Sequence, residues 1–276
     1  MGQPARRRMA RSTVSALVGT MLAVCPVSAH EFWIEPHDFS INPDTEIQAD
    51  IRVGQDFKGD AFPYIPSRFI AFKRYDSIGE TDVDGVTGDL PALALTLRAE
   101  GLNIFTYVSV AERIRFQDWD KFAAYLDLEG LTTIPARHDA RGLSRDEVSE
   151  LYTRCAKTLV AVGDATGGQD RATGMRLELV ASQNPMTLAP GAAMSFTLLW
   201  EGEPLADTQV ALFRRGDTGR DATAKTITRT DGNGQASFTI PAQGTYLAAS
   251  VHMTEAPADR NADWQSYWAS LTFGVE

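Results

Sequence analysis

Apolar residues alternate with polar ones over much of the chain, and the alternation lays out the expected elements in order. Residues 46–53 place Ile47, Ala49, Ile51 and Val53 on one face of a strand. Residues 67–75 predict a second strand. The run LNIFTYVSV at 102–110, dense in β-formers, predicts a buried third. Between the first two, GQDFKGDAFPYIP at 54–66 breaks the pattern with three aromatics and two prolines. It reads as a loop that either binds something or folds back over a core. The Gly- and Asp-rich residues 76–89 read as a turn region.

Helical spacing follows in two places. Trp119, Phe122, Ala123 and Leu126 lie behind Asp118, a suitable cap, and ahead of Gly130, a suitable stop. Ser144 with Glu147 makes a capping box before the stripe Val148, Leu151, Tyr152, Cys155 and Leu159, which predicts a second helix with Cys155 buried and unreactive. The stretch 132–142 between them, with His138, reads as a polar connection, and 178–181 as a strand closing a first domain. From about Gln183 the helical signal stops. Short strands are expected at 193–200, 209–214, 224–230, 235–240, 245–253 and 266–275, a spacing that suits an antiparallel sandwich. Asp231-Gly232-Asn233-Gly234 supplies the positive φ angles of a hairpin turn. The predicted fold is mostly β with a few helices: a signal peptide over 1–29, a β-rich domain with two helices over 30–182, and a β-sandwich over 183–276.

The start of the chain has a different character. Arg6, Arg7, Arg8 and Arg11 precede an apolar run from Val14 to Val24, and Val27-Ser28-Ala29 offers the small residues of a cleavage site. Export with cleavage after Ala29 is expected, and no later stretch is apolar for long enough to cross a membrane as a helix, so no direct insertion follows cleavage. Losing the leader changes the formal charge from −10 to −14, with 22 basic against 36 acidic residues. That excess points away from nucleic acid and anionic lipid. Cys25 leaves with the leader, and Cys155 alone cannot form an intramolecular disulfide.

Candidate chemistry is sparse. No G-x-S-x-G elbow or Gly-rich phosphate loop is present, so hydrolase and nucleotide chemistry are not supported, and a binding protein is favoured over an enzyme. The four histidines are His30, His37, His138 and His252. After cleavage His30 would be the first residue, offering a metal both its α-amine and its imidazole, with Phe32, Trp33 and Ile34 anchoring it. Such nitrogen donors suit nickel, cobalt, copper or zinc. His252 is the expected partner, and His37 a further one if the chain turns at Glu35-Pro36. His138 reads as a solvated loop residue, and Met253 as core.

His30-Glu31-Phe32-Trp33-Ile34-Glu35-Pro36 behind the leader, Phe122-x-x-Tyr125-Leu126 with Glu129-Gly130-Leu131, Tyr152-x-Arg154-x-Ala156-Lys157, Leu177-Glu178-Leu179-Val180 with Asn184-Pro185, and Thr230-Asp231-x-x-Gly234 to Tyr246 together resemble a bacterial periplasmic family of unknown function. Its members are often described as substrate-specific periplasmic components of nickel or cobalt uptake. The resemblance implies a periplasmic location, an immunoglobulin-like or transthyretin-like sandwich, and divalent metal binding near the exported terminus. It also implies a separate membrane transporter as partner, because this chain carries no membrane helices beyond its signal. Two other expectations stand beside it: a copper redox protein built on the same chelate, and a metal-free carbohydrate or adhesion module. The last would use the aromatics of 57–64 and the group Trp264, Tyr267 and Trp268 as contacts.

Overall fold

The computed structural model describes residues 31–164, 166–215 and 223–275; the expected leader and His30 lie outside them. The first nine strands are β1 (Glu31–Pro36), β2 (Ser40–Ile41), β3 (Thr45–Gln55), β4 (Lys58–Phe62), β5 (Phe69–Tyr75), β6 (Glu80–Asp82), β7 (Leu93–Leu97), β8 (Gly101–Ser109) and β9 (Glu112–Phe116). Two helices, α1 (Trp119–Leu128) and α2 (Ile134–Ala140), lead into β10 (Val148–Val162) and β11 (Leu177–Ala181). Then come β12 (Ala193–Trp200), β13 (Glu203–Pro204), β14 (Gln209–Arg215), β15 (Ala224–Arg229), β16 (Gln235–Thr239), β17 (Gly244–Glu255) and β18 (Trp264–Val275). The protein is mostly β, as its alternation predicts.

Among the described residues these strands build three sheets. The largest runs β15-β14-β17-β18-β10-β8-β5-β6, with β2 and β9 also paired to β10. One of its faces carries β11-β12-β13 with β16, which closes the C-terminal sandwich over a core that includes Phe196, Leu198, Tyr246, Leu271 and Phe273. Against the other half packs the sheet β1-β3-β4 with β7, over Ile34, Ile51, Phe72, Phe105 and Val160. The helices close a third cluster around Phe122, Val148 and Trp264.

The central strand is β10, and it corrects the second predicted helix. Its apolar positions fit helical spacing, but from Cys155 to Val162 every residue is buried. Ala156 and Val160 face one core while Leu159 faces the other, so a strand covered on both sides mimics the continuous apolar stripe of a helix. Glu147, expected within the first helical turn, has φ 57°, which ends any helix there. Ser144 instead accepts a hydrogen bond from the amide of Asp146. β10 pairs in parallel with β18 from Glu150↔Trp264 to Thr158↔Thr272, so one sheet crosses the boundary expected at Gln183. Cys155 is buried as expected, on a strand rather than a helix, and burial pushes its thiol up to about 12.

Two turns also differ from expectation. Residues 54–66 are not a plain loop, because β3 and β4 form a hairpin there. At Gly54 a Cβ would come within 1.8 Å of the Lys58 carbonyl oxygen, so only glycine fits. Asp56 and Phe57 take φ of 53° and 58° at its tip. The cost for Phe57 is offset by full burial against Trp33, with the rings edge to face 5.3 Å apart and Arg215 4.1 Å over the Phe57 ring. The turn at 231–234 does form, with Gly234 at φ 72°, but it joins β15 in the large sheet to β16 in the small one and is not a hairpin.

The segment entering β11 is held by a buried charge cluster. The Lys157 ammonium, fully buried, pairs with Glu178 at 2.6 Å and Asp170 at 3.2 Å, and donates to the Arg171 carbonyl at 3.0 Å. Glu178 also accepts from the amides of Thr173, Gly174 and Met175. One ammonium is shared by two carboxylates, and the backbone amides and carbonyl supply the remaining partners, which is what keeps such a group in a core.

Candidate functional site at the head of the first strand

β1 is anchored along its length. Phe32, Trp33 and Ile34 are buried, as the sequence predicts, and Trp33 Nε1 donates to Glu35 Oε2 at 2.7 Å. The register Glu31↔Gly54 to Pro36↔Ala49 fixes the strand on β3. At its far end Glu35 takes a bidentate pair from Arg215 at 2.7 and 2.8 Å, with Arg52 at 3.6 Å. Burial pushes the Glu35 carboxyl up, but the hydrogen bonds from Arg215 and Trp33 and the two guanidinium charges outweigh it and hold it low.

At the near end Glu31 opens onto a small cavity with Glu129, Gln209, Lys225 and Ser270 on its walls. The volume is about 20 Å³, room for one water molecule or a bare ion. Glu129 follows α1, whose C-terminus is pinned because Gln209 Nε2 donates to the Leu128 carbonyl at 2.8 Å. Both carboxyls are raised, Glu31 to about 7 and Glu129 to about 8. Burial is the main cause in each case. The Asp56 charge adds to it at Glu31 and the Glu31 charge adds to it at Glu129, while Lys225 opposes the rise at both. Two buried oxygens of this cavity, Glu31 Oε2 and Ser270 Oγ, have no hydrogen-bond partner. A buried carboxylate oxygen left unpaired is costly, and either a proton or a cation relieves it. Two carboxylates and a hydroxyl thus face this space, with the Lys225 ammonium beside them.

The histidines are not gathered here. His37 follows β1 at its opposite end, where its ring is 3.5 Å from Asp50. It lies six positions along the strand from Glu31, about 20 Å at the usual rise. His252 lies on β17, whose side chains alternate between the two faces of the large sheet. Leu247 packs with Trp33 of β1, whereas His252 faces the other way, its ring 4.6 Å from Trp200 of β12. The sheet thus stands between His252 and β1. Burial, then the nearby Arg137 charge, lowers the basicity of His252.

His138 is not the solvated loop residue expected. It is fully buried in α2, where its Nδ1 accepts from Trp264 Nε1 at 3.1 Å and its Nε2 lies 3.0 Å from the Ser144 carbonyl oxygen. Both ring nitrogens are committed, so this histidine is structural. Met253 is core, as expected. Trp264 and Tyr267 are buried too, and they belong to clusters on opposite faces of β18, so with Trp268 they form no exposed aromatic surface. Among the described residues no three His, Cys, Asp or Glu side chains converge on a metal-sized point. No helix among them is long and apolar enough to cross a membrane. In the sequence Glu31 and Glu129 stand out only as members of two separate motifs, because their meeting depends on where α1 docks.

A family described as Domain of unknown function (DUF4198) matches residues 27–254, from before β1 into β17. The chain belongs to this family. The DUF4198 match takes in the cavity residues Glu31, Glu129 and Lys225 and stops before β18. No curated protein matches the chain significantly. Among solved structures it is similar to the D0-D1 domain of intimin, at 13% identity and a TM-score of 0.21, covering 87% of this chain and 96% of that one. Similar too are a tetra-tandem repeat in the extending region of a large adhesion protein (14%, TM-score 0.20, 89% and 49%) and the Yersinia pseudotuberculosis adhesin InvE (11%, TM-score 0.20, 88% and 58%). The chain spans about half the length of these last two. Superpositions at so low a score carry no functional argument.

Proposed function

We propose that the protein is a periplasmic carrier of a divalent transition metal, exported by its leader and bound at the head of β1. Nickel or cobalt is the metal implied by the resemblance, and a separate membrane transporter is the implied partner. The observation that carries the proposal is the buried, unpartnered Glu31 Oε2 beside Glu129, at the residue directly after His30.

His30 is one peptide from Glu31, a Cα separation of about 3.8 Å. Cleavage after Ala29 would free its α-amine next to its imidazole, adding two nitrogen donors to the two carboxylates. Such a mixed set suits nickel, cobalt, copper or zinc. Glu31 and Glu129, raised to about 7 and about 8, retain protons near neutrality. Entry of a cation would displace those protons, so affinity rises with pH. His252 and His37, across the sheet and at the far end of β1, are replaced in this proposal by the two carboxylates.

The test is calorimetric titration of nickel into the mature chain beginning at His30 and into the same chain with one alanine ahead of it. The extended chain is expected to bind at least about tenfold more weakly, since it loses the amine chelate. Equal affinities would sink the terminal chelate. Glu129→Gln should reduce the protons released per metal, measured in two buffers of different ionisation enthalpy.

A further inference from the structure

A second cavity, which shares only Phe32 with the first, opens between the sheet of β1, β3 and β4 and the large sheet. Its volume is about 300 Å³, at the lower end of ligand-sized pockets. It exists because the ladder along one edge of β10 is interrupted. β9 pairs with β10 at Val148–Tyr152 and β8 at Leu159–Val162, and neither pairs with residues 153–158. There a side chain replaces the ladder, as Ser109 Oγ accepts from the Arg154 amide at 2.9 Å and donates to the Val110 carbonyl at 2.8 Å. The facing wall is the hairpin β3–β4, which presents Ile51, Val53 and Phe62.

The two ends of this cleft differ in chemistry. One is apolar, built from Ile51, Val53, Phe62, Pro63 and Ile65, with Phe62 46% exposed at the mouth. At the other, the Arg154 guanidinium lies 5.3 Å over the Phe32 ring and 5.1 Å over the Tyr152 ring. Glu112 accepts from Tyr152 Oη at 2.6 Å and pairs with Arg68. Two guanidinium groups, Arg68 and Arg154, stand here with the Glu112 carboxylate, in a protein that is otherwise strongly acidic.

We propose that this cleft binds a small amphipathic monoanion, its carboxylate held by Arg68 and Arg154 and its aliphatic or aryl body laid against Phe62 and the β3 wall. Guanidinium groups are well shaped for a carboxylate. Polar groups gathered on the wall opposite β3 and β4 suit an amphiphile, whereas a sugar carries hydroxyls on every side. The exposed Phe62 would then be a ligand contact.

The test is calorimetric titration of octanoate and of octanamide into the mature protein with a chelator present, so that the result is independent of any metal. Octanoate is expected to bind, with the neutral amide at least about tenfold weaker. Arg68→Gln should weaken octanoate by about tenfold and leave the amide unchanged, while Phe62→Ser should weaken both. Both side chains are largely exposed, and unchanged circular dichroism and melting temperature would show that the variants fold. Equal binding of acid and amide, no binding of octanoate up to about 10 mM, or variants that bind like the parent would each overturn the proposal.

Discussion

Glu150 gives the sharpest test of the forces inside this fold. It sits on β10 at 1% exposure, where Oε1 accepts from Tyr125 Oη at 3.1 Å and from Ser266 Oγ, while Oε2 has no partner. Burial raises its carboxyl to about 7, only partly offset by these two hydrogen bonds and the Arg154 charge. A raised carboxyl stabilises the fold fully below its ordinary value of 4.5, and that contribution is lost as pH rises through about 7. Between pH 5 and pH 8 the loss is about 2–3 kcal/mol, because each pH unit separating the folded from the unfolded value is worth about 1.4 kcal/mol. Glu150→Gln copies the protonated acid and removes this dependence. Its amide nitrogen takes the place of the unpartnered oxygen, at a cost of about 1–3 kcal/mol that is the same at both pH values. The quantity to measure is therefore the difference between variant and parent at each pH. Urea unfolding at pH 5 and pH 8 should show that difference moving about 2–3 kcal/mol in favour of the variant. No movement, or movement the other way, would mean that Glu150 is ionised in the folded protein near neutrality and that its burial does not set its charge.

Further outcomes follow from single contacts. Lys157→Met strands Glu178 and Asp170 without their cation and should cost about 3–5 kcal/mol by urea unfolding. Trp33→Ala empties a fully buried site against Phe57 and should cost about 3–5 kcal/mol, with Phe57 no longer held at positive φ. Arg215→Met removes the bidentate partner of Glu35, whose lowered carboxyl stabilises the fold above its ordinary value of 4.5 and stops doing so as pH falls through the lower folded value. The variant should lose more stability at pH 7 than at pH 3; a loss equal at both would assign the role of Arg215 to packing on Phe57.

Most strands were legible from alternation alone. The expected 193–200 and the observed β12 coincide, and β8, β14 and β17 differ from expectation by a few residues at their ends. β10 was not legible, because a strand buried on both faces has no polar side to reveal its period of two. The hairpin at 54–66 was hidden for a different reason: its tip uses Asp56 and Phe57 at positive φ rather than the Asn-Gly or Asp-Gly pair that marks such turns. His138 looked polar by its neighbours, yet Trp264, 126 residues further on, supplies its partner.

The sequence by itself determined most of the extended segments and of the turns, and that Phe32 to Ile34 anchor the strand behind His30. These follow from spacing between near neighbours along the chain, which the backbone period fixes. Only the tertiary structure decided that Glu31 meets Glu129, that His252 faces away from β1, and that a cleft opens where β8 and β9 leave β10 uncovered. Each of these depends on which strand lies beside which and which face it presents, and non-local pairing sets both.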